Sequence, residues 1–151
     1  MKRTIAIASD HAALDLKAEI KKHLEAQGVE VTDYGTYTPD SCNYPDYAEK
    51  VCDAVTSGKQ DLGILVCGTG IGMSMAANKH NGIRAALVTT VENAILTREH
   101  NNANVLCMGA KDVSEEVAKE IVDAFISSKF TEGRHLRRVE KLTNIEKYEK
   151  R

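Results

Sequence analysis

Apolar residues in this chain follow two rhythms, short unbroken runs and stripes of every third or fourth residue, and the two alternate from one end to the other. Thr4–Ser9, TIAIAS, is a buried-strand pattern that closes at Asp10-His11. From 12 to 27 the period changes. Leu16, Ile20 and Leu24 recur every fourth position among charges, which predicts an amphipathic helix with Gly28 as its C-cap. Residues 29–35 predict a second strand, and 36–44, with Pro39 and Cys42, a loop. Pro45 fits the first position of a helix that carries Ala48, Val51, Cys52 and Val55 on one face, so Cys52 is assigned to the core; Ser57-Gly58 closes it.

Residues 62–66, LGILV, read as a strand buried on both faces. Cys67–Gly72, CGTGIG, is a strand-to-helix turn, with Met73 to Ala77 continuing as helix. Asn81-Gly82 turns the chain into a fourth strand, 83–88, and Thr90 caps the next helix, with Val91, Ala94, Ile95 and Arg98 facing inward or along its edge. That helix ends in the polar cluster Glu99-His100-Asn101-Asn102. A fifth strand spans 105–108, closed by Gly109; Asp112 with Glu115 resembles a capping box ahead of the stripe Val117, Ile121, Phe125. Residues 134–150 predict a last, charged helix with Val139, Leu142 and Ile145 on one side.

Five such alternations predict right-handed crossovers and a three-layer α/β sandwich: a five-stranded parallel sheet with helices on both faces, Rossmann-like, in one domain spanning 1–151. Ligands of such sheets bind beyond the carboxyl ends of the strands. Asp10-His11, Cys67 with its glycines, and Lys111 all fall at those ends, and they converge on one cleft if strands one and three are neighbours.

Composition narrows the picture. At 151 residues the chain holds a real core without staples. Twenty basic against twenty-two acidic residues, a net charge of −2, give no footprint of a nucleic-acid binder. The N-terminal apolar run is broken at Asp10-His11, so it predicts neither signal peptide nor membrane span, and the expected compartment is the cytoplasm. Cysteines 42, 52, 67 and 107 form no C-x-x-C and no zinc spacing, and are expected as free thiols.

Candidate chemistry gathers at the glycine loop. Such a turn aims backbone N–H groups and the positive end of a helix dipole at whatever lies above the strand, and a thiol there is favoured as thiolate. Cys67 is then a base or nucleophile at the lip of an anion cradle; the plain alternative is a small buried hydrophobe. Gly68, Gly70 and Gly72 make G-x-G-x-G, not the dinucleotide G-x-G-x-x-G, and follow the third strand, although Glu92 lies at a ribose-binding distance. A flavodoxin-like module binding a nucleotide or flavin is the alternative from another class. Asp10-His11 either binds a polar ligand or is an N-cap with a neighbouring surface histidine. His100 is an acid/base or a partner of the helix dipole. Arg134 and Arg138, four apart, share a helix face and grip one phosphate or form a solvated patch. His23 and His80 are bystanders on exposed faces.

In concert the motifs go further. S-D-H at Ser9 to His11, N-Y-P-D at Asn43 to Asp46, C-G-T-G-I-G at Cys67 to Gly72, A-A-N-K at Ala76 to Lys79, G-I-R-A at Gly82 to Ala85, R-E-H-N at Arg98 to Asn101 and G-R-H-x-x-R at Gly133 to Arg138 run in register over nearly the whole chain. The chain resembles the type B ribose-5-phosphate isomerases, whose family includes allose-6-phosphate and galactose-6-phosphate isomerases. The resemblance implies an aldose-ketose isomerase of pentose phosphate metabolism, with six-carbon sugar phosphates as alternative substrates. It implies that Cys67 moves a proton between C2 and C1 through a cis-enediolate, and that the N–H groups of Gly68, Thr69, Gly70, Ile71 and Gly72, with the Thr69 hydroxyl, hold the enediolate oxygens. His100, helped by Asp10, would open the furanose ring. His11, Arg134 and Arg138 would bind phosphate, with Asn101 and Tyr44 lining the sugar site. It further implies homodimers or dimers of dimers with shared clefts, and no metal or organic cofactor. Two departures stand out: Lys111 where many relatives have Arg, and Ala12-Ala13 where relatives often have a glycine. Either would shift preference toward a six-carbon substrate.

Overall fold

The computed structural model describes residues 3–149, so position 150 of the expected last helix lies outside it. In chain order the elements are β1 Thr4–Ser9, a 3-10 turn His11–Ala13, α1 Leu14–Ala26, β2 Glu30–Asp33, α2 Tyr44–Thr56, β3 Leu62–Cys67 and α3 Ile71–Asn78. They continue with β4 Ala85–Leu87, α4 Val91–Asn101, β5 Val105–Gly109, α5 Glu115–Ser127 and α6 Arg134–Glu149. The five strands form one parallel sheet in the order β2-β1-β3-β5-β4, so strands one and three are neighbours as the shared cleft requires.

Hydrophobicity explains the order. β3 and β5 are buried at every position and take the interior, whereas β2 and β4 are short, partly exposed and sit at the edges. Alternating side chains build two cores. Ile5, Ile7, Ile64, Val66, Leu106 and Met108 pack with Ile20 and Leu24 of α1 and Ile121 and Phe125 of α5. On the other face Ala6, Ala8, Leu65, Cys67 and Cys107 meet Val51 and Cys52 of α2 and Met73 and Ala77 of α3. That second face is built of small residues, and α2 comes close: a Cβ on Gly63 would lie 2.6 Å from Val51 Cγ1.

Several expectations are corrected. The helix predicted over 12–27 opens with the 3-10 turn, because Asp10 caps the Ala12 N–H at 3.0 Å before α1 proper begins. α2 starts at Tyr44, one residue ahead of Pro45. α3 begins at Ile71, so the end of the glycine loop is already its first turn. Strand four shrinks to three residues because the Arg84 N–H is taken by the Asn104 side chain at 2.8 Å. The helix cap is Ser114, not Asp112: the Ser114 hydroxyl accepts from the Val117 N–H at 3.1 Å, which turns Val117 outward and buries Ala118 and Val122 instead. On α6 only Val139 of the expected stripe is buried; Leu142 and Ile145 are exposed. His23 is half-buried rather than fully exposed, and its Nε2 meets Asp123 on α5 at 2.9 Å, a packing contact away from the candidate chemistry. Among the described residues no helix is long and apolar enough to cross a membrane.

One buried cation fixes the corner that leads to the site. Lys17 of α1 is buried with its ammonium 2.9 Å from Asp33 Oδ1 and donates to the Thr36 carbonyl, while Asp33 Oδ1 also accepts from the Gly35 N–H at 2.9 Å. Removing one partner of a buried pair strands the other, at a cost of about 3–5 kcal/mol. Lys17→Met should therefore lower unfolding stability in urea by roughly 3 kcal/mol, a loss far larger than an exposed lysine would give.

Candidate active site

The carboxyl edge of the sheet collects one group of candidates. Cys67 ends β3, only 6% exposed, and its Sγ accepts from the Gly70 N–H at 3.1 Å. Gly70 has φ +78, and a Cβ there would sit 2.6 Å from Leu87 Cδ1 and 2.8 Å from the Met108 carbonyl carbon. Only glycine lets the loop lie this low over β4 and β5. Gly109 is the counterpart beneath: its Cβ would come within 2.5 Å of the Thr69 backbone. The loop is tied down by Ala110 N–H to Cys67 O and Lys111 N–H to Gly68 O, both 2.9 Å, and the Thr69 hydroxyl accepts from Ile71 N–H at 3.3 Å.

Three other elements reach this loop. The Asp10 N–H donates to Val66 O at 3.2 Å, which sets Asp10 and His11 beside Cys67. His11 Nδ1 accepts from the Cys42 N–H at 3.3 Å and lies 3.7 Å from the Cys42 thiol, which fixes the neutral ring's proton on Nε2. The Tyr44 ring lies over Gly72, where a Cβ would meet its Cζ at 2.6 Å. Lys111 lays its chain along the loop, with Cε 3.6 Å from where a Gly68 Cβ would be.

His100, Asn101, Arg134 and Arg138 are not here. α4 runs back antiparallel to the strands and ends where β5 begins: Asn104 O accepts from Gly63 N–H at 2.9 Å, and Asn102 O from Arg84 Nε at 2.8 Å. From Gly63 to Cys67 the strand itself spans about 13 Å, so this second group lies at the opposite, amino edge. α6 starts beside it, with the His135 ring stacked on His100 at 4.1 Å and 13°. Asp10 and His100, paired in the sequence reading, are thus separated within one chain.

The thiols differ by surroundings. Burial, then Asp53 and Glu49, pushes Cys52 up to about 12, and burial pushes Cys107 up further still, so both are inert packing residues. Sequence reasoning gave no role to His135 or Cys42. The first stands next to Arg134 in a motif that was noted for its arginines; the second lies in a loop, and only the folded chain shows that it meets His11. Arg98 is buried, donating to the carbonyls of Ala103 and Ser128 above the Phe125 ring, and so binds α4 to the end of α5.

Comparison with known proteins finds relatives over nearly the whole chain. The ribose-5-phosphate isomerase B of Escherichia coli K12 is 48% identical over 144 residues, covering 95% of this chain and 97% of its own. A solved ribose-5-phosphate isomerase B from Clostridium thermocellum superposes with a TM-score of 0.95 at 48% identity, covering 96% of this chain and 98% of that one. The Mycoplasma genitalium enzyme, solved with ribulose-5-phosphate bound, gives a TM-score of 0.91 at 46% identity over 95% of this chain and 96% of that one. The profile described as Ribose/Galactose Isomerase matches residues 5–142, and the chain belongs to that family.

Proposed function

We propose that this chain interconverts D-ribose 5-phosphate and D-ribulose 5-phosphate, with Cys67 as the carbon base. The observation that carries the reading is the Cys67 sulfur receiving the Gly70 N–H at 3.1 Å in a loop that opens directly into α3. Negative charge on that sulfur is held by the amide and by the helix dipole. On this reading the thiolate takes the C2 proton of the open-chain aldose, and the electron pair shifts to make a cis-enediolate with its charge on O1. The loop N–H groups and the Thr69 hydroxyl stabilise that charge. The O2 hydroxyl proton passes to O1, the carbon proton returns from Cys67 to C1, and the C2 carbonyl of the ketose results. No electrons leave the substrate.

Furanose opening comes first. His100 gives a proton to the ring oxygen as the C1–O4 bond breaks, and Asp10 takes the O1 hydroxyl proton as the C1 carbonyl forms. His11, Arg134 and Arg138 hold the phosphate, with Tyr44, Asn101 and Lys111 along the sugar. Because the two groups lie at opposite sheet edges in one chain, this division of labour calls for a second copy that supplies its amino edge to the first copy's carboxyl edge. Exposed Ile71, Met75 and Leu87 beside the loop, and Leu142 and Ile145 on α6, supply apolar surface for such a homodimer. Four free thiols fit a reducing cytoplasm.

Lys111 favours one second reading. A point charge lying along Gly68, in place of a forked guanidinium, grips a shorter sugar less firmly and leaves a six-carbon phosphate such as allose 6-phosphate as an alternative. A coupled assay of the unaltered protein and Cys67→Ser on ribose 5-phosphate and allose 6-phosphate decides. The expected result is ribose-phosphate turnover that falls roughly a thousandfold on substitution. Turnover confined to allose phosphate would move the substrate, and a Cys67→Ser protein of near-native rate would refute the thiol base. Arg134→Ala should raise KM on the order of tenfold to a hundredfold with a smaller change in kcat, as loss of a charged phosphate contact predicts.

A further inference from the structure

The segment between α5 and α6 is strapped to the end of α4. Thr131 donates twice to the Glu99 carbonyl, from its N–H at 3.1 Å and its hydroxyl at 2.9 Å, and Arg98 Nε reaches Ser128 O at 3.4 Å. Glu132 and Gly133 then take consecutive left-handed conformations, φ 57 and φ 53, which turn the chain sharply into α6. A non-glycine residue adopts that conformation only when its surroundings impose it. The product of the turn is the His135 imidazole lying flat on that of His100.

We propose that His135 is a positioning residue for His100, holding its imidazole by stacking in the orientation needed at the furanose ring oxygen. The inference rests on the reading of His100 as the ring-opening acid. Stacking suits this task better than a hydrogen bond would. An imidazole at a helix end rotates broadly about χ2, and a second ring against its face removes that freedom while leaving both nitrogens at the open edge. Among the described residues, neither imidazole hydrogen-bonds the rest of the chain, which on this proposal leaves their nitrogens for substrate. Charge supports the pairing. Partial desolvation, then the neighbouring His100, Arg134 and Arg138, pushes the His135 pKa below the ordinary histidine value, which favours its neutral ring in the stack.

Ring opening can be separated from carbon-proton transfer, because ribulose 5-phosphate is acyclic: its O5 is esterified and cannot close on C2. Deuterium uptake from D2O into C1 of ribulose 5-phosphate reads the Cys67 step alone, whereas turnover of ribose 5-phosphate also requires ring opening. For His135→Ala, ribose-phosphate kcat should fall about tenfold while deuterium uptake stays within about twofold. His135→Phe, which keeps a stacking face without a titrating nitrogen, should recover most of the lost turnover. Parallel loss of turnover and uptake in His135→Ala, or no recovery in His135→Phe, would overturn the positioning role. His100→Asn is the reference. If it shows no split between turnover and uptake, the ring-opening reading of His100 fails; if it does and His135→Ala does not, only this inference fails.

Discussion

A parallel strand must be followed by a crossover that carries the chain back to the starting edge of the sheet, and the site depends on that constraint. In this chain α4 is the crossover between β4 and β5, so whatever ends α4 lies at the amino edge. Cys67 ends β3 and lies at the carboxyl edge. His100 and Cys67 are held apart by the same hydrogen-bonded ladder that makes the core, and no rotamer brings them together. The arginines follow, because α6 is strapped to α4 through Thr131 and Glu99. On the proposed reading these are two half-sites, which a symmetric pair of subunits would turn into two whole ones.

The second constraint is steric. β5 sits between β3 and β4, so the loop after Cys67 must cross directly over the end of β5. It passes at backbone contact, which requires Gly109 below and Gly70 above. The same crossing aims the Gly70 amide at the thiol. Core packing and the surroundings of the Cys67 thiol are therefore one arrangement: strand order sets the height of the loop, and the height of the loop sets the environment of the sulfur.

Much of this was legible in the sequence, for physical reasons that can be named. β3 and β5 were readable because strands buried on both faces leave unbroken apolar runs, and the stripes of α1, α2 and α5 because one face of each meets the sheet. The ends were less readable. Ser114 displaced Asp112 as a cap because the choice between nearby caps is made by how the helix docks, and β4 shortened because a side-chain amide of Asn104 took a ladder donor. The glycine loop announced itself through its spacing, and Asp10, His11 and Tyr44 do gather around it. The stack of His135 on His100 was not legible, since it depends on two left-handed residues and a strap thirty-two positions long in sequence, from Glu99 to Thr131. Nor could linear order say that Cys67 and His100 stand at opposite edges; that follows only from strand direction.

The central claim is that one active site draws Cys67 from one copy and His100 from another. Co-expression of Cys67→Ala and His100→Asn chains, each inactive alone, tests it most directly. Random pairing makes half the dimers hybrid, and each hybrid rebuilds one intact site of two, so the mixture should recover about a quarter of the unaltered activity. A mixture no more active than either parent, with hybrid dimers demonstrably formed, would contradict the account.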